Sequence, residues 1–162
     1  MYYILYQNKI STLYICANDT GITDVSFDKG IVHSHSINQT HDTVGQNKHI
    51  TACVAWFDAY FNKDIDTHGY IAAQLPNLDI PDSPTKKMIL SVPWGSLVQY
   101  GQLITPKHAQ AVGQACRTNR IVIIYPCHRI VSKNSYNIYQ YMGQHNHPIK
   151  QKLFKHEGIV VK

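Results

Sequence analysis

The chain has 162 residues, 44% of them hydrophobic and 15% charged, which is enough apolar material for a buried core and excludes a disordered chain. The formal charge of +5 is unevenly placed: residues 1–82 hold four Lys and nine Asp, a net of −5, whereas residues 83–162 hold eight Lys, three Arg and a single acid, Glu157, a net of +10. No apolar run approaches the ~20 residues of a membrane span, and the start MYYILYQNKI lacks the basic region and cleavage site of a signal peptide.

The first 27 residues read as three strands, Tyr2–Tyr6, Leu13–Ala17 and Ile22–Phe27, with Asn8-Lys9 and Asn18-Asp19-Thr20-Gly21 as turns. Residues 33–49 are polar and His-rich and read as a loop. Ile50, Cys53, Val54, Phe57, Tyr60 and Phe61 recur every three or four positions and mark one face of a helix, with Trp56 and Phe57 as core candidates. Residues 63–83, with Gly69, Pro76 and Pro81, read as an extended linker. The change of charge sign puts a lobe boundary near residue 80, dividing the chain into 1–80 and 81–162.

The second lobe reads as short helices. Ser83-Pro84 caps one that runs to about Ser91, where Val92-Pro93-Trp94-Gly95 breaks it. Ser96 can cap a second through Ile104, and Thr105-Pro106 a third to about Thr118, with Ala109, Val112 and Cys116 on one face. Two short helices on a basic lobe fit a helix-turn-helix, and equally an ordinary helix pair broken at proline. The basic balance fits either a polyanion, nucleic acid first, or a solvated basic face. Ile121-Val122-Ile123-Ile124-Tyr125 reads as a buried strand ending at Pro126. Residues 132–147 form a Tyr- and Asn-rich loop, and Pro148 opens a final helix that ends at Gly158.

The four cysteines, Cys16, Cys53, Cys116 and Cys127, form no Cys-x-x-Cys pair and no disulfide framework, so a reducing, cytoplasmic setting is expected. Cys127 follows the apolar run and precedes His128 and Arg129. Cationic neighbours favour a thiolate, and a histidine can take the thiol proton. A carboxylate should orient that histidine, and Glu157 is the one acid the basic half supplies. The same residues also fit an inert core cysteine. They do not fit a metal site, because no second Cys/His pair stands at ligand spacing. A thiol-redox protein is disfavoured because no second cysteine lies near Cys127 along the chain.

Ile121 to Ile130, with Pro126-Cys127-His128-Arg129 at its centre, resembles the active-site signature of the O6-alkylguanine-DNA alkyltransferases. Val92-Pro93-Trp94-Gly95, Gln99-Tyr100-Gly101, the stretch from Ala109 to Ala115, Asn119, Tyr141-Met142-Gly143 and His156-Glu157-Gly158 are similar to further motifs of that family. The Tyr-Tyr start, Asp19-Thr20-Gly21-Ile22 and Phe57-Asp58-Ala59-Tyr60-Phe61 match more loosely. The resemblance implies an α+β fold: a small N-terminal α/β lobe with an antiparallel sheet, and a mainly helical C-terminal lobe whose helix-turn-helix enters the DNA minor groove. It implies repair by direct reversal, with the alkylated guanine flipped out of the duplex and its alkyl group moved irreversibly to the protein. Cys127 is then the acceptor, His128 the base acting through a water, Glu157 its orienting partner, and Tyr100 the proton donor to the leaving guanine. Asn119 braces the turn between recognition helix and active-site strand. Gln110, Gly101, Ala111, Gly113 and Gln114 meet DNA, and Pro126, Tyr141, Met142 and Gly143 shape the base pocket. No cofactor is implied, and a monomer acting on double-stranded DNA is expected. Some members hold zinc in the N-terminal lobe, but Cys16, Cys53, His33, His35 and His41 offer no recognisable ligand spacing, so no metal is expected here.

The departures are specific. Gln110 stands where the family most often has an intercalating Arg, Arg120 replaces Pro after Asn119, and Gln144 replaces a second loop Gly. Between Pro84 and Pro93, and between Tyr100 and Gln110, the chain is about four residues, roughly one helical turn, shorter than the family pattern. Arg129 is expected to pair with Glu157, in competition with His128. The contrasting functional class is a non-catalytic sensor of alkylated DNA on the same scaffold, which would not need the Cys127 nucleophile.

Overall fold

The computed structural model describes residues 1–27, 47–103, 109–132, 141–142 and 147–161, which fall into two compact units, Met1–Pro81 and Asp82–Lys162. In the first unit, β1 (Tyr2–Gln7), β2 (Thr12–Ala17) and β3 (Ile22–Ser26) form an antiparallel sheet in the order β1-β2-β3. Tyr2 lies opposite Ala17 and Gln7 opposite Thr12, and a bulge at Cys16/Ala17 shifts the β2–β3 register. Asn side chains build both turns. Asn8 Oδ1 accepts from the amides of Ile10 and Ser11, and Asn18 Oδ1 from those of Thr20 and Gly21.

Helix α1 (Lys48–Phe61) starts at Asn47, whose side chain accepts from the amides of His49 and Ile50. Its Ile50, Cys53, Phe57 and Tyr60 are at most 4% exposed, and the stripe follows the helical repeat. Trp56 stacks on Tyr60 and meets Phe57 edge-on, which makes this aromatic face the first unit's core.

The segment read as a linker is part of this unit. Ile22 donates its amide to Asn77 at 2.8 Å, and Asp79 donates to Ile22 at 2.8 Å, so the chain around Leu78 runs parallel beside β3. Every residue of β3 is therefore buried. Pro76 and Pro81 kept this segment from reading as a strand, and a two-bond backbone contact leaves no hydrophobic periodicity to detect.

The second unit begins with α2 (Pro84–Leu90), capped by Ser83, whose hydroxyl accepts from the Lys86 amide. Then come β4 (Val98–Gln99), α3 (Tyr100–Leu103), α4 (Ala109–Arg117), a 3₁₀ turn (Cys127–Arg129), β5 (Ile130–Val131) and α5 (Pro148–Glu157). β4 and β5 pair in parallel, Val98 with Ile130 and Gln99 with Val131. This pairing corrects the helix expected from Ser96: residues 98–99 are drawn into a ladder, and the helix starts only at Tyr100. Ile104, Thr105 and Pro106 lie outside the described residues.

A second correction concerns residues 121–125. They are buried, as an apolar run predicts, but they form a tight turn. Tyr125 donates to the Ile121 carbonyl, and Ile123 sits at φ +70°, a region that β-branched side chains strongly avoid. Apolar content signals burial and leaves strand and turn undistinguished. α5 ends at Gly158, whose φ of +70° is the left-handed cap position. The antiparallel sheet and helix of the first unit, followed by a mainly helical second unit, bear out the α+β fold class. Among the described residues, no helix is long and apolar enough to cross a membrane.

Gly21 gives a direct test of the packing beside β3. A Cβ there would lie 2.8 Å from both the Asn77 oxygen and the Asp79 nitrogen, which are backbone atoms that cannot swing aside. Gly21→Ala is expected to lower stability by about 1–3 kcal/mol, read as a shift in the urea midpoint. An unchanged midpoint would show that residues 77–79 are free to move away.

Candidate active site

Cys127 opens the 3₁₀ turn that follows the buried 121–125 turn, and its amide donates to the Tyr125 carbonyl at 2.7 Å. Asn119 holds that buried turn at both ends. Its Nδ2 donates to the Tyr125 carbonyl at 3.1 Å and its Oδ1 accepts from the Ile121 amide at 2.9 Å. Arg120, where a proline was expected, follows it on the exposed side.

The carboxylate of Glu157, in the last turn of α5, joins the site into one polar cluster. Its side chain has no solvent exposure. Oε1 meets His128 Nε2 at 2.7 Å and accepts from Arg129 Nη2 at 2.9 Å; Oε2 accepts from Arg129 Nε at 2.8 Å and from the Gly95 amide at 3.3 Å. Arg129 also donates through Nη1 to the Val92 carbonyl. The expected competition between His128 and Arg129 does not arise, because two carboxylate oxygens and a planar guanidinium allow both contacts at once.

Burial alone would raise the Glu157 carboxyl, but His128 and Arg129 outweigh it and hold the group well below the usual carboxylate range. His128 is fully buried, and burial pushes its pKa down despite the neighbouring carboxylate. With its pKa pushed down, His128 is neutral at pH 7, and Arg129 carries the charge opposite Glu157. The carboxylate then fixes the imidazole proton on Nε2, so Nδ1 keeps a free lone pair. Nδ1 is buried and has no hydrogen-bond partner among the described residues.

Cys127 borders a pocket of about 320 Å³. Of the residues singled out from sequence, Tyr100, Gln110, Gly113, Gln114, Tyr141 and Met142 line it as well. Gln110, Gly113, Gln114 and Arg117 fall three or four residues apart on α4 and present one face to this cavity. Gly101 and Ala111 are exposed outside the lining, while Pro126 is buried at the start of the 3₁₀ turn and does not line the pocket. Gly143 and Gln144 lie outside the described residues, as do His33, His35 and His41. Burial, reinforced by the nearby thiols, pushes the Tyr100 phenol up to about 12, so it is protonated at neutral pH.

Two neighbours of Cys127 went unnoticed in the sequence. Lys150, in the first turn of α5, is 1% exposed, and burial brings its ammonium down to about 8; its charge acts on Cys127 and Cys116. Nothing in a lysine-rich helix distinguishes one buried lysine by composition. Cys116, near the end of α4, lines the same pocket as Cys127, which corrects the expectation that no second thiol lies near it. The neighbouring Cys116 thiol first, and burial second, raise the Cys127 thiol well above its ordinary value. Cys127 thus rests protonated.

Two family models match the chain: the ribonuclease-like domain of 6-O-methylguanine DNA methyltransferase over residues 1–68, and the DNA-binding domain of the same family over residues 85–159. The methylated-DNA–protein-cysteine methyltransferase of Cricetulus griseus is 30% identical, over 98% of this chain and 83% of its own length. The chain belongs to the methylated-DNA–protein-cysteine methyltransferase family. The Rattus norvegicus member is 37% identical over 68% of this chain and 56% of its own length. Among solved structures, the Mycobacterium tuberculosis O6-methylguanine methyltransferase has a TM-score of 0.68 at 25% identity, with 96% of this chain and 91% of that one covered. A structure of the same mycobacterial protein in complex with DNA has a TM-score of 0.63.

The buried cluster makes stability pH-dependent with a definite sign. Glu157 and His128 both titrate lower folded than unfolded, so the unfolded chain takes up protons first as pH falls. The contribution of these two groups is in place above about pH 6.5, declines as the unfolded-state histidine protonates, and falls again below about pH 4.3 as the carboxyl does. Glu157→Gln leaves Arg129 buried without its counter-charge and is expected to cost about 3–5 kcal/mol at neutral pH. It should also flatten the acid limb of urea midpoint against pH; an unaltered limb would place the acid sensitivity elsewhere.

Proposed function

We propose that the chain repairs DNA by direct reversal, moving an alkyl group from O6-alkylguanine in duplex DNA to its own Cys127. The observation that carries this reading is the run Cys127, His128, Glu157, in which a neutral histidine fixed by a buried carboxylate adjoins a thiol that opens onto a pocket. The Cys127 sulfur attacks the alkyl carbon; the new S–C bond forms as the C–O6 bond breaks, and the electron pair passes into the guanine ring. The thiol proton goes through a water to His128 Nδ1. Tyr100, protonated and on the same pocket wall, donates its hydroxyl proton to the leaving base, where negative charge develops. The Lys150 ammonium favours the thiolate that forms. A thioether is not readily reversed, so each molecule acts once as a methylated-DNA–protein-cysteine methyltransferase.

In this reading α3 and α4 are the helix-turn-helix, and α4 lies in the minor groove. Gln110, exposed at its start, fills the stack vacated by the flipped base. Gly101, Ala111, Gly113 and Gln114 approach the DNA backbone, and Asn119 braces the turn that delivers Cys127. Tyr141, Met142 and Gly143 close over the base. The unit from residue 81 onward carries both DNA binding and transfer, and the protein works as a cytoplasmic monomer.

Duplex DNA carrying O6-methylguanine should add one methyl group to the intact mass, mapping to Cys127, and Cys127→Ser should add none. DNA binding with no change of mass would favour the lesion sensor, and methylation that survives in Cys127→Ser would identify another acceptor. Lys150→Met is expected to slow transfer while raising the urea midpoint at neutral pH, because it removes a buried cation. A variant that lost stability and kept its rate would instead make Lys150 a structural residue.

A further inference from the structure

Cys116 has no role in the transfer described above. It lies in the last turn of α4, is 7% exposed, and borders the same pocket as Cys127. The chain between them turns back on itself: Asn119 ties residue 121 to residue 125, and Ile123 adopts the left-handed backbone that reverses direction. The result is two buried thiols on the wall of one pocket, with the Lys150 cation acting on both. All four cysteines are free thiols, and these two share a pocket open enough to admit a small molecule.

We propose that Cys116 and Cys127 form an oxidant-responsive dithiol, in which a hydroperoxide closes a reversible disulfide that withdraws the acceptor sulfur from alkyl transfer. This rests on Cys127 being the acceptor. The Cys127 sulfur attacks the peroxide, the O–O bond breaks, an alcohol or water leaves, and Cys127 becomes a sulfenic acid. The Cys116 sulfur then attacks that sulfur; the S–S bond forms, the S–O bond breaks, and the departing hydroxide takes the Cys116 proton as water. Two thiols lose two electrons in total and the peroxide gains them. The value of the partner lies in what it prevents. A sulfenic acid without a neighbouring thiol goes on to sulfinic acid, which a reductant does not reverse, and a single-use acceptor would be spent without repairing a base.

Treatment of the full chain with tert-butyl hydroperoxide should lower the intact mass by two hydrogens and yield a peptide pair linked through Cys116 and Cys127. Transfer to O6-methylguanine DNA should be lost with it, and dithiothreitol should restore both mass and transfer. In Cys116→Ser the peroxide should instead add oxygen to Cys127, and reductant should not recover transfer. Wild-type protein methylated by DNA beforehand should form no bridge, a control that needs no variant to fold. Methyl acceptance on Cys127 without bridging, or a bridge to Cys16 or Cys53, would overturn the dithiol alone. Bridging in a protein that accepts no methyl group would keep the dithiol and overturn the acceptor.

Discussion

A single buried negative charge organises the second unit. Glu157 takes donors from α5's neighbours in the fold: the 3₁₀ turn through His128 and Arg129, and the chain after α2 through the Gly95 amide. Arg129 extends the cluster to the Val92 carbonyl. A carboxylate without exposure is tolerated only when its lone pairs are filled. Every element that fills them is thereby fixed in place, including the turn that carries Cys127. The group that orients the histidine is thus also the group that assembles the site, and its structural and chemical contributions cannot be separated by deleting it.

The sequence made the elements with strong local signals legible. The three strands were bounded by Asn turns, the first helix by its repeat, and the last helix by Pro148 and Gly158. What escaped was decided by contacts distant in sequence. Residues 98–99 became a strand because residues 130–131 offered a partner, and residues 77–79 joined the first unit through two backbone bonds to Ile22. The apolar run 121–125 was rightly buried and wrongly extended, because an Asn side chain satisfies its ends.

The site shows the same division. Residue chemistry brought out Cys127, His128 and Glu157, and the family resemblance brought out Tyr100 and Asn119. Lys150 and Cys116 carried no such mark. A buried lysine and a helix cysteine acquire meaning only when folding places them against the same sulfur. The low charged fraction of the chain also gains a physical sense. In residues 83–162 the one acid, Glu157, is buried among cations, so the described surface of that stretch carries no carboxylate to repel a polyanion.

The shortest sheet in the molecule has a disproportionate geometric effect. Tyr100 follows β4 directly, and Cys127 stands three residues before β5 in a turn that leads straight into it. The two strands run side by side with Val98 opposite Ile130. The parallel pairing therefore ties the backbone that leads into Tyr100 to the backbone that follows Cys127. A slip of one residue in that two-residue ladder would turn alternate side chains to the opposite face and re-aim both segments together. Two residue pairs thus set where the backbone of both pocket-lining residues begins.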